Sequence, residues 1–566
     1  MGIIDYPFDN EEILKKKRKL KRTLLEQELL LEKRVAILSG STIGDTKDVL
    51  EIFLLNYGIK PQFYIGQYNR FYEDIMFENQ ELAEFKPDII YIHTSTCNLS
   101  DIGLWDKLYA VWAKIKSEYS CPVIQNNFEL PAFGSELDNR QINELNIKII
   151  NYAKENKDFY VNDIQYISAS FGLAKWFCEK DYYLYKYAFS VNALPLLCHN
   201  IAKTIKSIYG KNQKCLVLDL DNILWGGVVG DVGAMGIELG METALGESYI
   251  AFQKYVKSLN KKGIILAVCS KNDEKSAKLA FNNPNMVLRL DDIAVFCANW
   301  ENKAENILKI TERLNILLES IVFIDDNPAE RELVRQALPE VKVPEANTTV
   351  DFIRYIEGAG YFYTTHISSD DIKRNEYYTT DAKRNEEKNT FVDYSEYLRS
   401  LQMSSKIKPF DSEHLDRITQ LINKTNQFNL TAKQYSLCEI EKIAADSNFI
   451  TIYATLNDKF GSNGIVTILI GEIIEKALHI RLWVMSCRVL KRDLELAVFD
   501  SLVEICKTKG IEKIIGYYLK TDKNGYVSGL FDSLGLKRIS DDIWELDIRT
   551  GYNRKNKYIQ IEKGAL

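Results

Sequence analysis

Two long stretches of the chain alternate short apolar runs with helical patterns, and this alternation limits the fold more than any other feature. The first stretch runs from Arg34 to about Tyr209, and the second runs from Cys215 to about Gly360. Strands that alternate with helices pair in parallel, and the helices then cover both faces of the sheet. We therefore predict two α/β domains, each built around a parallel sheet.

Individual elements of the first stretch can be placed from the pattern. The predicted strands are Val35–Leu38, Pro61–Ile65, Asp88–His93 and Pro122–Gln125, and the predicted helices are Asp45–Tyr57, Leu104–Glu118 and Asp138–Glu155. A basic helix is predicted before them, because charged residues alternate there with leucines. We interpret its cations as the solvated face of a helix docked on the first domain rather than as a binding patch. These cations are Lys15, Lys16, Lys17, Arg18, Lys19, Lys21 and Arg22.

The length predicts several domains. The chain has 566 residues, of which 46% are hydrophobic and 27% are charged, and one domain takes roughly 100–200 residues. The last block mixes helices with longer strands and hairpin-like turns, which is typical of an α+β domain. We predict domains at residues 1–209, 210–367 and 401–566, with a polar, helix-prone linker at residues 368–400.

Composition excludes several classes of function. The longest apolar runs, such as Gly263–Cys269, are far shorter than the roughly 20 residues of a membrane-spanning helix. The first ten residues lack the apolar core of a signal peptide. The ten cysteines form no CxxC pair, which predicts a reducing, cytoplasmic location. A net charge of -7 argues against general nucleic-acid binding.

The strongest chemical signal is an apolar strand, Cys215–Leu218, that ends in Asp219 and Asp221. Side chains alternate along a strand, so both carboxylates are predicted on one face at its carboxyl end. Ligands bind outside that end in an open parallel sheet. One carboxylate can attack phosphorus or hold a metal, while its neighbour moves the proton.

Three further strand ends strengthen this interpretation. Ser270 follows an apolar strand and can donate to a phosphoryl oxygen, and Lys303 begins a helix and can neutralise a phosphate. Asp325 and Asp326 end another strand and, together with Asp219 and Asp221, are predicted to hold Mg²⁺, which prefers hard oxygen ligands. Because these groups occur in order on alternating strands, we predict one active-site crevice. Lys271 and Asn272 are predicted to bind substrate there.

At these residues the chain resembles the haloacid dehalogenase (HAD) superfamily. Longer segments are similar to one subfamily, the FkbH-like proteins, and the resemblance continues into the last block. The segments are Asp219–Gly230, Cys269–Asn272, Trp300–Lys303, Asp325–Arg331, Lys424–Thr431 and Met485–Val489. The resemblance implies a Rossmann-like HAD domain in the centre. One departure is Ile223, which stands where the first HAD motif usually carries Thr.

The FkbH-like resemblance implies an acyl transfer coupled to loss of phosphate. Such proteins load a glyceryl unit from 1,3-bisphosphoglycerate onto the phosphopantetheine thiol of an acyl carrier protein. A cysteine thiolate can take the acyl group from an acyl phosphate, and Asp219 can remove the remaining phosphate. Cys269 is our first candidate for that thiolate, because Lys303 and Mg²⁺ would lower its pKa. Cys487 is the alternative, and Cys297 is a distant third.

The flanking blocks resemble two further folds. The first is similar to SGNH hydrolases, with Ser41 at a strand-to-helix turn, but no Asp-x-x-His completes a triad. We expect Ser41 to be a cap or loop anchor. The last block resembles a GNAT-type acyltransferase, whose helix amides hold the CoA pyrophosphate. Lys491 and Asp493 replace both of its glycines, and Arg488 is predicted to bind substrate.

Two other functions compete with glyceryl transfer. The chain can be a plain Mg²⁺-dependent HAD phosphatase acting on a small phosphorylated metabolite in glycan or secondary-metabolite biosynthesis. Alternatively, it can be a scaffold, with Ile223 as a mark of lost catalysis, although the retained Asp219, Asp221, Ser270 and Lys303 argue against that.

Overall fold

The computed structural model describes residues 2–27, 30–99, 103–132, 134–346, 348–373, 377–378, 380–381, 384, 387–388 and 391–562. The chain forms two compact units. The first consists of Met1–Lys211 with Tyr435–Lys442, and the second of Asn212–Gln434 with Ile443–Leu566. Within the described part of the chain, no helix has both the length and the apolar character required to cross a bilayer.

The first unit contains a parallel sheet in the order β2-β1-β3-β4-β5. Its strands are β1 Leu31–Ser39, β2 Ile59–Ile65, β3 Ile89–His93, β4 Val123–Asn126 and β5 Phe159–Asn162. The four strands and three helices predicted from the sequence are confirmed, with ends that move by no more than a few residues. The sequence prediction missed β5, because this run of four residues ends in a polar residue and resembles a loop.

Helices cover both faces of this sheet and leave an apolar cluster on each side. Their bounds are Asn10–Leu25, Gly44–Asn56, Glu73–Met76, Gln80–Phe85, Leu104–Glu118, Glu136–Glu155, Ile164–Phe171, Leu173–Trp176, Glu179–Tyr185 and Leu194–Ile208. The predicted basic helix, Asn10–Leu25, buries Ile13 and Leu24. Its Lys17 Nζ lies 2.5 Å from Asp45 Oδ1, so part of the basic face serves to dock the helix.

The second unit begins with a parallel sheet in the order β8-β7-β6-β9. Its strands are β6 Cys215–Leu218, β7 Ile265–Ser270, β8 Val295–Ala298 and β9 Ile321–Ile324. The associated helices are Val229–Gly236, Ala244–Lys261, Glu274–Ala280, Lys303–Leu314, Pro328–Ala337 and Thr349–Ala359. Apolar clusters again lie on both faces of the sheet, so the predicted second α/β block is confirmed.

The rest of the second unit is a mixed sheet with helices, as the α+β prediction requires. Its strands are β10 Ser404–Ser405, β11 Ile407–Lys408, β12 Phe449–Asp458, β13 Gly461–Ile474, β14 Ala477–Met485, β15 Lys513–Tyr517, β16 Lys537–Ser540, β17 Ile543–Asp547 and β18 Gln560–Ile561. The helices are Leu415–Lys424, Leu437–Ala445, Leu494–Thr508 and Leu530–Ser533. Residues 437–442 of the second helix belong to the first unit.

The predicted linker is only partly described. Ser369–Ile372 and Tyr394–Ser400 are helical. Residues 374–376, 379, 382–383, 385–386 and 389–390 lie outside the described residues. The domain boundaries drawn from the sequence at residues 210, 368 and 401 stay predictions.

Candidate active site

Strand order brings the predicted catalytic side chains to one edge of the second unit's parallel sheet. Leu218 of β6 pairs with Val268 of β7 on one side and with Ile324 of β9 on the other. The carboxyl ends of the three strands are therefore level. Asp219 and Asp325 directly follow β6 and β9, and Ser270 is the last residue of β7.

Asp219 is fixed by donors from three directions. Ser270 Oγ donates to its Oδ1 across 2.5 Å, and the backbone N–H of Leu220 donates to the same oxygen across 2.8 Å. Lys303 Nζ lies 2.8 Å from Oδ2. Asp219 is 7% exposed, so little of it remains in contact with solvent.

Three carboxylates form a compact group. Asp219, Asp325 and Asp326 each offer an oxygen, and these oxygens lie within 4.8 Å of one another. Burial, followed by the charge of Asp219, raises the pKa of Asp325 to about 6, while Lys303 acts in the opposite direction. A cluster of carboxylate oxygens that repel one another is a suitable site for a divalent cation such as Mg²⁺.

Asp221 departs from the predicted metal set, because its carboxylate lies outside this group. Its Oδ1 accepts from Trp225 Nε1 at 2.9 Å and from the backbone N–H of Val229 at 3.0 Å. Its Oδ2 accepts from Asn272 Nδ2 at 2.9 Å. These three donors fix the Asp221 carboxylate beside the cluster of three acids and not within it, so its predicted share in the metal stays a prediction.

Lys303 is the cation of the site. It is the first residue of helix Lys303–Leu314, it is 3% exposed, and it contacts both Asp219 and Asp325. Burial acts to lower the pKa of Lys303, but the two carboxylates outweigh burial and raise that pKa above its ordinary value. The pKa of Asp325 is raised by burial even though Asp325 contacts Lys303. Asp325 shares this single ammonium with Asp219, and the negative charge of Asp219 also raises the pKa of Asp325.

The two predicted substrate-binding residues after Ser270 have different surroundings. Asn272 is buried, and besides Asp221 its Nδ2 donates to Ser270 Oγ across 3.1 Å. It therefore orients both groups. Lys271 is more exposed and lies 2.6 Å from Glu330 Oε1, at the rim of the site.

Comparison with known proteins agrees with this geometry. The chain is 34% identical to the solved N-terminal part of BF1531 from Bacteroides fragilis, which contains a phosphatase domain and was determined with Mg. The match covers 62% of this chain and 99% of the other, with a TM-score of 0.57. Residues 53–206 match the family model described as FkbH, N-terminal domain. The chain belongs to the FkbH-like family.

Other comparisons concern shorter stretches. The ribosomal-protein-S18-alanine N-acetyltransferase of Escherichia coli is 12% identical, and the match covers 25% of this chain and 94% of that one, with a TM-score of 0.21. The PaiA N-acetyltransferase of Thermoplasma acidophilum is 17% identical, with coverages of 25% and 99% and the same TM-score. A search of curated protein sequences found no match.

Cys269 does not have the environment that the sequence analysis predicted for an FkbH-like acyl acceptor. It is fully buried, and it packs with Val217 and Ala267 in the cluster on one face of the sheet. Burial raises the pKa of its thiol well above the ordinary value, although Lys303 acts to lower it. Burial therefore favours the protonated thiol at Cys269, against the direction that the sequence analysis predicts. Side chains alternate along β7, so Ser270 faces Asp219 and its neighbour Cys269 faces the core.

The two FkbH-like segments of the last block meet at a cavity of about 100 Å³ in the second unit. Cys487 and Arg488 line it from one segment, and Lys424–Gln427 from the other, together with Lys214. Arg488 lies 4.3 Å from the centre of the Tyr377 ring. Its Nη1 is buried and has no hydrogen-bond partner among the described residues.

The thiol of Cys487 differs from that of Cys269. Cys487 is only partly buried and lines the cavity, and burial still raises its pKa. Lys214 and then Arg488 act to lower that pKa. Positive charge beside a thiol favours the thiolate. Cys297, the third candidate, is buried in the same core cluster as Cys269.

Sequence reasoning missed one supporting residue of the active site. Arg331 is 2% exposed, and its Nη1 donates to the backbone oxygens of Asp325 and Asp326 at 2.9 and 2.8 Å. It thereby fixes the turn that carries two of the three clustered acids. Its position inside the FkbH-like segment Asp325–Arg331 is the signal from which it could have been found.

Two other positions that the sequence analysis discussed, Ile223 and Ser41, are buried. Ile223 is fully buried in the apolar cluster on the other face of the sheet, so it supplies packing where the usual Thr supplies a hydroxyl. Ser41 follows β1 and is 2% exposed, and its Oγ has no hydrogen-bond partner within the described part of the chain. The residue that precedes helix Gly44–Asn56 is Ile43, so the expectation that Ser41 caps this helix is wrong. The SGNH-like assignment of the first unit stays a prediction.

Proposed function

We propose that this FkbH-like protein is a Mg²⁺-dependent enzyme of the HAD phosphatase type, with Asp219 as its nucleophile. The observation that carries the proposal is the fixed position of Asp219 beside Lys303 and the two acids Asp325 and Asp326. The presence of Mg in the related phosphatase-domain structure supports the choice of metal. Asp219, Asp325 and Asp326 would hold the ion, whose charge would neutralise a phosphoryl group.

The phosphatase step uses the residues of this chain in distinct roles. Asp219 attacks phosphorus, the bond from phosphorus to the leaving oxygen breaks, and an aspartyl-phosphate forms. Ser270 and Lys303 bind the phosphoryl oxygens, where donors stabilise the charge that develops in the transition state. Asp221 gives a proton to the leaving oxygen and later takes one from the water that hydrolyses the aspartyl-phosphate.

We propose that the substrate is 1,3-bisphosphoglycerate or a related acyl phosphate, and that the final acceptor is an acyl carrier protein. Membership of the FkbH-like family supports this choice. A thiolate attacks the acyl carbon, the bond from that carbon to the phosphate oxygen breaks, and phosphate leaves with its electron pair. Asp219 removes the second phosphate. The acyl group then passes from one thioester to the phosphopantetheine thiol of the carrier.

Cys487 replaces Cys269 as the residue proposed to hold the acyl group. Three features support it: Cys487 lines a cavity, Arg488 and Lys214 contribute positive charge there, and both FkbH-like segments of the last block meet at that cavity. Arg488 Nη1, which has no hydrogen-bond partner among the residues that the structure describes, can donate to the phosphate of an acyl phosphate.

Intact-protein mass spectrometry tests the proposal. The full chain is incubated with 1,3-bisphosphoglycerate and Mg²⁺, with and without a carrier protein that bears phosphopantetheine. We expect an adduct on the enzyme that disappears when the carrier is added, while glyceryl appears on the carrier. Cys487→Ala should form no adduct, whereas the matched variant Cys269→Ala should form it normally.

Other outcomes separate the alternatives. Phosphate release without any enzyme adduct would favour the plain phosphatase acting on a small phosphorylated metabolite. An adduct that survives in Cys487→Ala but disappears in Cys269→Ala would return the role to the buried cysteine. Absence of both phosphate release and adduct in every variant would favour the scaffold.

A further inference from the structure

The mixed sheet of the last block opens between two neighbouring parallel strands. β14 pairs with β15 only over Ala477–Ile480, although β14 continues to Met485. The last part of β14 therefore needs another partner on that side, because buried backbone N–H and C=O groups are almost always hydrogen-bonded. An opening of this kind is where an extended chain that carries amide groups can add to a sheet.

The chain itself fills this opening with residues 428–431, here called the filler segment. The N–H of Leu430 donates to Trp483 O at 3.2 Å, and the N–H of Met485 donates to Phe428 O at 3.1 Å. On the other side, the N–H of Leu519 donates to Leu430 O at 2.8 Å. The filler segment thus pairs like a short strand with β14 and with the residues that follow β15.

Side chains anchor the filler segment firmly. Phe428 and Leu430 are 1% and 0% exposed and belong to the main apolar core of the last block. Asn524 is fully buried, and its Nδ2 donates to Asn429 O at 2.9 Å and to Leu519 O at 2.8 Å. Displacing the segment would expose two core side chains and remove one of the two hydrogen bonds that the buried Asn524 Nδ2 donates, which is costly.

The start of helix Leu494–Thr508, which follows β14, is also unsuited to a diphosphate. In GNAT-type domains, which this block resembles, backbone amides at this point hold the CoA pyrophosphate. Here Lys491 and Asp493 adopt the left-handed conformation that glycine favours, with φ of 64° and 59°. Asp493 precedes the helix and Glu495 lies in its first turn, so two carboxyl groups occupy the end where a helix attracts anions.

The nearby arginine does not offset these acids. Arg492 is 7% exposed, and its guanidinium lies 3.0 Å from Asp381 and 3.2 Å from Asp458. The residues present therefore do not fit the cofactor that the GNAT-like fold implies.

We infer that this domain binds no CoA or acyl-CoA, because the filler segment occupies the opening that an extended thiol cofactor would need. The domain selects against free CoA thioesters, so acyl groups do not enter the protein in that form. This inference goes beyond the proposed function and does not depend on it, because it concerns binding of CoA rather than turnover of an acyl phosphate.

Binding of CoA to the full-length protein tests the inference. The protein is titrated with acetyl-CoA and with CoA by calorimetry. Its thermal melting temperature is measured in the presence of each compound at about 1 mM. We expect no heat of binding and no rise in Tm. Saturable binding, or a Tm that rises by several degrees, would overturn the inference.

Hydrogen exchange tests the filler segment directly. The amides of Leu430, Met485 and Leu519 should exchange as slowly as those at the centre of β13, with or without acetyl-CoA. Rapid exchange of all three amides, or faster exchange when acetyl-CoA is added, would show that the filler segment leaves the opening. Either result would contradict the inference that the segment blocks CoA.

A double variant separates the filler segment from the helix start. Lys491→Gly with Asp493→Gly restores glycine where φ is positive, so no backbone strain is introduced. We expect this variant still to bind no acetyl-CoA, because the opening remains filled. Acquisition of acetyl-CoA binding by the double variant would show that the helix start alone excludes CoA, and the assignment to the filler segment would fail.

Discussion

Lys303 Nζ lies 2.8 Å from Asp219 Oδ2 and also contacts Asp325, so one buried ammonium joins the ends of two parallel strands. Charges this deeply buried are stable only when they are paired. The cation therefore holds together an acidic cluster that would otherwise repel itself. The same ammonium is placed to bind a phosphoryl oxygen, which links the stability of the site to its chemistry.

Lys303→Met should separate these two roles of the ammonium. Breaking a buried ion pair on one side typically costs 3–5 kcal/mol, so we expect the free energy of unfolding without metal to fall by about that amount. Phosphate release should fall at least about 100-fold, as for loss of a transition-state donor. Mg²⁺ should stabilise this variant more than it stabilises the wild type, since the metal would supply the missing positive charge.

Urea unfolding with and without Mg²⁺ and a phosphate-release assay check this prediction. Lys309→Met is the matched control, because Lys309 lies on the same helix in an exposed ion pair with Glu301. The control should behave as the wild type in both assays. Full activity of Lys303→Met would show that the ammonium does not act on the substrate.

Asp325→Asn should weaken metal binding while keeping the shape of the site. The Asp325 side chain is fully buried. Its replacement by Asn removes one of the three negative charges that would hold the ion. We expect the Mg²⁺ concentration for half-maximal phosphate release to rise at least about 10-fold. EDTA should abolish release by the wild type. Calorimetric titration with Mg²⁺ measures the affinity directly, and the exposed substitution Asp291→Asn is the control. Undiminished turnover in metal-free buffer would refute the metal site.

Much of the fold follows from the sequence because the periodicity of the strands is local information. The apolar runs that became β1 and β6 are flanked by helices long enough to predict parallel sheets. The ends of these strands predicted Asp219, Ser270 and Asp325 for the same reason. Parallel strands in register bring their carboxyl ends together whatever the loops between them do.

The burial of Cys269 could not be predicted from its position near Lys303, because the face of the strand on which a side chain lies depends on the alternation along β7. Cys269 and Ser270 are neighbours in β7, so only one of them can face Asp219. The filler segment lies inside the FkbH-like segment Lys424–Thr431, but its pairing with the sheet could not be predicted. Its pairing joins Leu430 to Trp483 and Leu519, and such long-range hydrogen bonds leave no periodic signal in the sequence.

Asp219→Asn should separate phosphate removal from acyl capture. The amide keeps the shape of the carboxylate but is not a nucleophile. If Cys487 takes the acyl group, a phosphoglyceryl adduct should accumulate on the enzyme, and little dephosphorylated glyceryl should reach the carrier. Phosphoglyceryl and glyceryl adducts differ in mass, so one intact-protein spectrum distinguishes them. Glyceryl-carrier formed at the normal rate would mean that the HAD-type site is not the phosphatase.

The buried acid Glu129 of the first unit should make stability depend on pH. Glu129 is 3% exposed, and burial raises its pKa to about 7, although Thr96 donates to both carboxylate oxygens. The folded state then binds more protons than the unfolded state between about pH 4.5 and 7, so stability falls as pH rises through that range. The difference in pKa corresponds to about 3 kcal/mol.

Glu129→Gln should remove that pH dependence. The Gln carbonyl can accept from the Thr96 N–H, and its amide can donate to Thr96 Oγ1, so the hydrogen bonds of the site are kept. We expect the variant to match or exceed the wild type at pH 8 and to lose its advantage near pH 5, where Glu129 is protonated. Urea unfolding at the two pH values measures both. An equal difference between variant and wild type at pH 5 and pH 8 would show that Glu129 does not titrate in this range.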